Sequence, residues 1–196
     1  MVARILVFAG STRSGAYSGK VADCAQKELA IQGAEVTRIS LADYDLPIMN
    51  EDLQEEKGIP ENAYKLARQF ASHDALMICT PEYNGSIPPL LKNTIDWVSR
   101  VSKDNGRPLK PYPGKVVGLC SSSEGYFAGI RSANHLRAVL AHLQMEVIAA
   151  QVSVPKGGEA FDERGDFKDE RLRKGMTRAC ESLIASARLH STRAER

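Results

Sequence analysis

Short apolar and β-branched runs alternate along this chain with segments of helical period, and that alternation leaves few folds open. The first run is Arg4-Ile5-Leu6-Val7-Phe8-Ala9. Val21, Cys24, Ala25 and Leu29 then recur at helical spacing, and Gly33 stands where a helix would close on a C-cap glycine. Residues 35–41 read as a second strand. After an irregular connection over residues 42–59, longer than usual for such units, Ala63, Leu66, Ala67 and Phe70 mark the next helix. Ala75-Leu76-Met77-Ile78-Cys79 is a continuous apolar strand of the kind buried on both faces, and Pro81 stops it. Pro88-Pro89 opens a helix traced by Leu90, Leu91, Thr94, Ile95, Val98 and Val101. Residues 115–120 give a fourth strand, Leu136, Val139, Leu140 and Leu143 a fourth helix, and residues 146–152 a fifth strand. Leu172, Met176, Ala179, Cys180, Leu183 and Ile184 give the last helix.

Five strands alternating with five helices predict an α/β fold of flavodoxin-like order. Its parallel sheet runs 2-1-3-4-5, with helices on both faces. A chain of 196 residues with 43% hydrophobic content suits one domain, taken here as 1–190, with a polar, frayed tail over 191–196. The net charge of +2 is too small, and its basic residues too scattered, for a nucleic-acid partner. The opening apolar run is far short of the roughly 20 residues that a membrane span needs, so a cytoplasmic protein with no membrane partner is expected. Cys24, Cys79, Cys120 and Cys180 show no C-x-x-C pairing and read as reduced, buried residues. His73, His135, His142 and His190 form no zinc spacing and read as histidines on helix surfaces, His135 and His142 on a shared face.

In this strand order the chain reverses direction between the first and third strands, so a ligand crevice opens at their carboxyl ends. Three loops wall it. The first, Gly10-Ser11-Thr12-Arg13-Ser14-Gly15-Ala16-Tyr17-Ser18, sets hydroxyls and one arginine at a helix N-terminus, which suits a phosphate. Ser11, Arg13 and Ser18 are its candidate contacts. The second, Pro81-Glu82-Tyr83-Asn84-Gly85-Ser86-Ile87-Pro88, is held stiff by prolines and suits the edge of a flat heterocycle, with Tyr83 and Asn84 lining it. The third, residues 121–131, carries small residues that let a ring approach the backbone.

Other chemistries fit these loops poorly. Ala16-Tyr17 stand where a P-loop needs its lysine and hydroxyl, and no G-x-G-x-x-G is present. Ser123 with Gly125 is half of a nucleophile elbow, but Ser121 replaces the leading glycine. A phosphorylated receiver domain would need an aspartate where Thr80-Pro81 end the third strand.

Pro81-Glu82-Tyr83-Asn84-Gly85-Ser86 followed by Leu91-Lys92-Asn93-Thr94-Ile95-Asp96-Trp97 resembles the NADPH-dependent FMN reductase family, which includes bacterial quinone, chromate and azo-dye reductases. Gly10-Ser11-Thr12-Arg13 and Gly129-Ile130-Arg131 add to the resemblance, which spans nearly the whole chain. It implies an FMN phosphate on Ser11, Arg13 and Ser18. It places Pro81, Glu82, Tyr83, Asn84, Gly85 and Ser86 beside the isoalloxazine ring, and Ser122, Ser123 and Gly125 along the flavin's other flank. Ala16 and Ser18 depart from the serine and asparagine of many relatives, which implies one phosphate hydrogen bond fewer.

The resemblance also implies NADPH or NADH as hydride donor and a small acceptor such as a quinone, chromate, a ferric complex or an azo dye. Chemistry then belongs to the flavin N5 and no catalytic side chain is assigned. Leu46-Pro47-Ile48-Met49-Asn50 resembles the family's long loop near the flavin at a dimer interface. A homodimer or homotetramer is therefore expected, with Asp96 and Arg100 pairing on an exposed helix face. Trp97 reads as packing rather than a flavin contact. The rival is a flavodoxin-like single-electron carrier, against which the slight basic charge and 6% aromatic content weigh.

Overall fold

The computed structural model describes residues 2–194. β1 (Arg4–Ala9), β3 (Ala75–Pro81) and β6 (Val116–Ser122) form the middle of a five-stranded parallel sheet, flanked by β2 (Glu35–Arg38) and β7 (Glu146–Val154) in the order β2-β1-β3-β6-β7. With the two strands outside this sheet set aside, that is the 2-1-3-4-5 order read from the sequence. The three central strands are continuous apolar runs because both of their faces are covered.

Alternate residues divide the core in two. Ile5, Val7, Ala9, Met77 and Cys79 pack under α1 (Tyr17–Ile31) and α6 (Glu170–Ala194). Leu6, Phe8, Leu76 and Ile78 face the opposite layer of α3 (Glu61–Ser72), α4 (Pro89–Ser99) and α5 (Ile130–His142). All four cysteines are buried, free, and gathered in the α1/α6 layer. Burial pushes the Cys24 thiol up to about 11, so it stays protonated and inert.

Several expectations need correction. The connection over residues 42–59 is not wholly irregular: a 3₁₀ turn spans Leu41–Asp43, and a sixth helix, α2 (Glu51–Lys57), starts at Asn50. Asn50 Oδ1 accepts from the Asp52 and Leu53 amides, a cap that the run of acids after it had masked. A small hairpin, β4 (Lys103–Asp104) with β5 (Arg107–Pro108), follows α4. Asp96 and Arg100 do not pair with each other. Asp96 takes Lys92 at 2.8 Å, one turn earlier, while Arg100 reaches Glu51 at 2.7 Å, because α2 lies within its range.

His73 is no helix-surface residue either; it ends α3, buried, with Nε2 2.8 Å from Thr37 Oγ1 and Nδ1 2.6 Å from the Gln69 carbonyl. The backbone of α6 runs to Ala194, and residues 195–196 of the expected tail lie outside the described residues.

Candidate flavin site

The first loop leaves β1 through Gly10, whose amide donates to the Cys79 carbonyl at 2.8 Å. It reaches α1 through Ala16, an N-cap with no side-chain hydrogen bond. An alanine cap leaves the first-turn amides unserved by the residue that usually serves them, so they remain open to an anion. Ser11 Oγ accepts from the Arg13 amide at 3.3 Å and shapes the turn. The Arg13 guanidinium lies 5.6 Å from the Tyr17 ring centre and donates to the Ser14 carbonyl, without a carboxylate partner among the described residues. Ser18, in the first turn of α1, is buried, and its hydroxyl has no hydrogen-bond partner.

The second loop is a two-residue hairpin. Tyr83 and Ser86 exchange both backbone hydrogen bonds at 3.0 Å, while Asn84 and Gly85 take φ of +49° and +76°. Positive φ at both central positions is what an Asn-Gly turn supplies at little cost. Glu82 points away from this turn: its carboxylate receives the Arg131 guanidinium at 2.6 Å and the Arg131 amide at 3.1 Å. Ser86 Oγ lies 3.0 Å from His135 Nδ1. Loop two is thus bound at two points to α5. Pro81 ends β3 against Gly10, where an added Cβ would meet the proline ring at 3.3 Å.

In the third loop Ser122 is the second buried hydroxyl without a partner. Ser123 Oγ donates to the Gly125 carbonyl at 3.1 Å, and Ser121 Oγ to the Ala128 carbonyl at 2.8 Å. These bonds fold the loop on itself and leave Tyr126 and Phe127 exposed at its tip.

The segment after β7 supplies a fourth wall that the sequence reading missed. Gly157 donates its amide to the Ser123 carbonyl at 3.0 Å and lies under the Tyr17 ring, where a Cβ would come within 2.4 Å of two ring carbons. Only glycine allows that approach. The Tyr17 hydroxyl and the Glu124 carboxylate meet beside Gly158, and the carboxylate holds the phenol above its usual pKa. Loops one and three are thereby joined over the segment. The available signal was Pro155-Lys156-Gly157-Gly158, a turn sequence straight after the fifth strand.

Trp97 is fully buried and donates Nε1–H to the Pro47 carbonyl at 2.7 Å. Asn93, one turn earlier on the same face, donates to the Pro47 carbonyl at 2.9 Å and accepts from the Met49 amide at 2.8 Å. The α4 motif therefore holds the long loop and touches none of the three crevice loops through these bonds.

FMN fits this arrangement. Buried polar groups are normally hydrogen-bonded, yet both of the partnerless buried hydroxyls among the described residues, Ser18 and Ser122, stand on crevice loops. The first is beside the anion-ready helix start, the second on the flank proposed for the ring.

Known proteins agree with this geometry. Residues 3–159 match the sequence family described as NADPH-dependent FMN reductase. The chain is 38% identical over 146 residues to a quinone reductase of Escherichia coli, covering 74% of this chain and 73% of that one. It is 31% identical to an NAD(P)H-dependent FMN reductase of Pseudomonas aeruginosa, with 92% of each chain covered. Among solved structures, the flavoenzyme NAD(P)H:(acceptor) oxidoreductase FerB of Paracoccus denitrificans superposes with a TM-score of 0.79 at 25% identity, over 96% of this chain and 99% of that one. With the sheet order, the crevice loops and a sequence match over most of its length in agreement, the chain belongs to the NADPH-dependent FMN reductase family.

Proposed function

We propose that this protein is an FMN-dependent NAD(P)H oxidoreductase that reduces quinones, and that Ser11, Arg13 and Ser18 hold the FMN phosphate. The pairing of two buried, partnerless hydroxyls with the unpaired Arg13 carries this reading. FMN, when bound, supplies the hydride acceptor and donor that the side chains lack. The protein's own part is placement. Loop two, fixed by the Glu82–Arg131 and Ser86–His135 contacts, offers Pro81, Tyr83, Asn84 and Gly85 to one edge of the ring. Ser122, Ser123 and Gly125 border the other. The Tyr17–Glu124 contact ties the phosphate loop to the ring-side loop, so the two ends of the cofactor are gripped by parts that move together.

One crevice over one flavin implies that donor and acceptor use the same face in turn. Steady-state rates with NADPH and a benzoquinone should give parallel double-reciprocal lines at several fixed quinone concentrations. Intersecting lines would mean that both substrates bind at once, and a protein that takes up no FMN would end the reading altogether.

The enzyme works as a homodimer or homotetramer in this proposal. Ile48, on the long loop, is 76% exposed although its neighbours are tied down, and a partner surface is the natural cover for it. Sedimentation that finds only a 21.4 kDa species at micromolar concentration would reject it. A cytoplasmic setting, where thiols stay reduced, accords with four free cysteines. Among the described residues no helix is long and apolar enough to cross a membrane.

A further inference from the structure

The turn after β7 holds Lys156 in a backbone conformation that its side chain disfavours. Its φ is +46°, in the left-handed region. The surroundings impose it: the next residue, Gly157, is pinned by its bond to the Ser123 carbonyl and by the Tyr17 ring above it, and the Glu159 amide donates back to the Lys156 carbonyl at 2.8 Å. The result is an ammonium 5.0 Å from the centre of the Tyr126 ring. Strain of this kind at a crevice mouth is a reason to look for a ligand.

The charges around that mouth are not equally free. Arg131 stacks on Phe127 at 4.6 Å but is neutralised by Glu82 at 2.6 Å. Glu124, the nearest acid on the third loop, is engaged by the Tyr17 hydroxyl. Arg13 is committed to the flavin phosphate in the function proposed above. Lys156 has no carboxylate partner among the described residues, and it stands over a tyrosine that is 82% exposed, beside a phenylalanine that is 65% exposed. Large aromatic faces displayed at a crevice mouth next to an unpaired cation suit a ligand with a flat base and phosphate groups.

We propose that Lys156, held over Tyr126, is a second phosphate contact, separate from the flavin-phosphate loop, that takes a phosphate of the nicotinamide dinucleotide donor. The inference rests on the flavin reading of the crevice. The phosphate is either the 2′-phosphate of NADPH or the pyrophosphate common to both donors. Tyr126 supplies the face on which the adenine half lies. FMN needs neither residue.

The test uses FMN-loaded protein, Lys156→Ala, Lys156→Arg and Tyr126→Ala. Lys156→Ala should raise the KM for NADPH about tenfold, the worth of one charge-assisted hydrogen bond, with kcat, quinone KM and FMN affinity unchanged. Lys156→Arg should restore it in large part. A rise for NADPH alone assigns the 2′-phosphate, and an equal rise for NADH assigns the pyrophosphate. Calorimetric titration with adenosine 2′,5′-bisphosphate and with ADP reads the contact without turnover, and Lys156→Ala or Tyr126→Ala should weaken whichever of the two binds. If the variant keeps FMN and its KM for both donors, and both nucleotides bind as before, the proposal is wrong while the flavin reading stands. Loss of FMN uptake by the unmodified protein would instead remove the flavin reading itself.

Discussion

Arg68 and Arg13 lie at opposite ends of the sheet and are used in opposite ways. Arg68, at the amino-terminal end, gives two hydrogen bonds to Asp104 at 2.7 and 3.0 Å and a third to Glu61 at 3.1 Å. Arg13, at the carboxyl end, gives one to a carbonyl beside it in sequence and meets no acid among the described residues. Particular buried groups extend the contrast. Near the amino end the buried Tyr112 hydroxyl donates to the Ile95 carbonyl at 3.0 Å, and the half-buried Lys115 ammonium, whose pKa burial lowers, donates to the Ala71 and His73 carbonyls at 2.8 and 2.5 Å. At the carboxyl end Ser18 and Ser122 are as deeply buried and bond nothing. Unspent hydrogen-bonding capacity costs stability, and the two buried hydroxyls left without partners both stand at the crevice, where a ligand would satisfy them; the other partnerless buried atoms among the described residues are the side-chain oxygens of Gln32 and Gln54. Concavity alone is the poorer guide: an open pocket of about 420 Å³ lies at the amino end, lined by residues such as Leu109, Tyr112 and Leu143, away from the three crevice loops.

The contrast is open to direct attack. Arg13→Ala should weaken FMN binding by roughly 1.5–3 kcal/mol, about 10- to 150-fold, with riboflavin binding much less affected. Fluorescence titration of apoprotein checks this, and equal losses for FMN and riboflavin would detach Arg13 from the phosphate.

Ser18→Ala should weaken FMN by a smaller step, about 0.5–1.5 kcal/mol for one hydrogen bond, and leave the apoprotein's thermal stability equal or higher, since no internal bond is lost. A destabilised apoprotein with normal FMN affinity would show that the hydroxyl serves the fold. Tyr112→Phe should behave in reverse, losing about 1 kcal/mol in urea unfolding with no change in FMN affinity.

The smallest effect concerns pH. Arg68 holds the Asp104 carboxyl below its ordinary value, so this group adds stability above the unfolded pKa of about 3.9 and loses it as pH falls through the lower folded value. Asp104→Asn should therefore be slightly less stable than the unmodified protein at neutral pH, and the two should converge under acid. An unchanged gap at low pH would mean that the pair contributes through shape and not charge. Because the pair is only partly buried, with the Arg68 side chain 42% and that of Asp104 20% exposed, solvent screening should keep the gap small.

How much of this was legible beforehand depended on whether a feature is written in neighbouring residues. Strand identity was, because residues 5–9 and 75–79 are apolar without interruption and only a two-sided sheet absorbs such runs. The start of α4 was, because Pro88-Pro89 fixes φ where a helix needs it. The packing role of Trp97 was read correctly from its spacing, though its partner Pro47, far off in sequence, was not. The α2 helix was missed: its sequence, Glu-Asp-Leu-Gln-Glu-Glu-Lys, has one apolar residue and so no period to detect. The pairing of Asp96 with Arg100 failed because one-turn spacing permits a contact without choosing it over Lys92 or over Glu51 on another helix.

Contiguous residues were enough for the order of the five sheet strands and of the five helices that carry an apolar stripe, for the phosphate-suited chemistry of the first loop, and for the family. Tertiary structure alone decided which of those groups remain available. Glu82 is withdrawn into an ion pair with Arg131, 49 residues away, while Ser18 and Ser122 are buried without partners and Lys156 is held over Tyr126. A residue's type states what it can bond, but whether it is already bonded depends on what the fold brings beside it, and distant segments meet only when the sheet assembles.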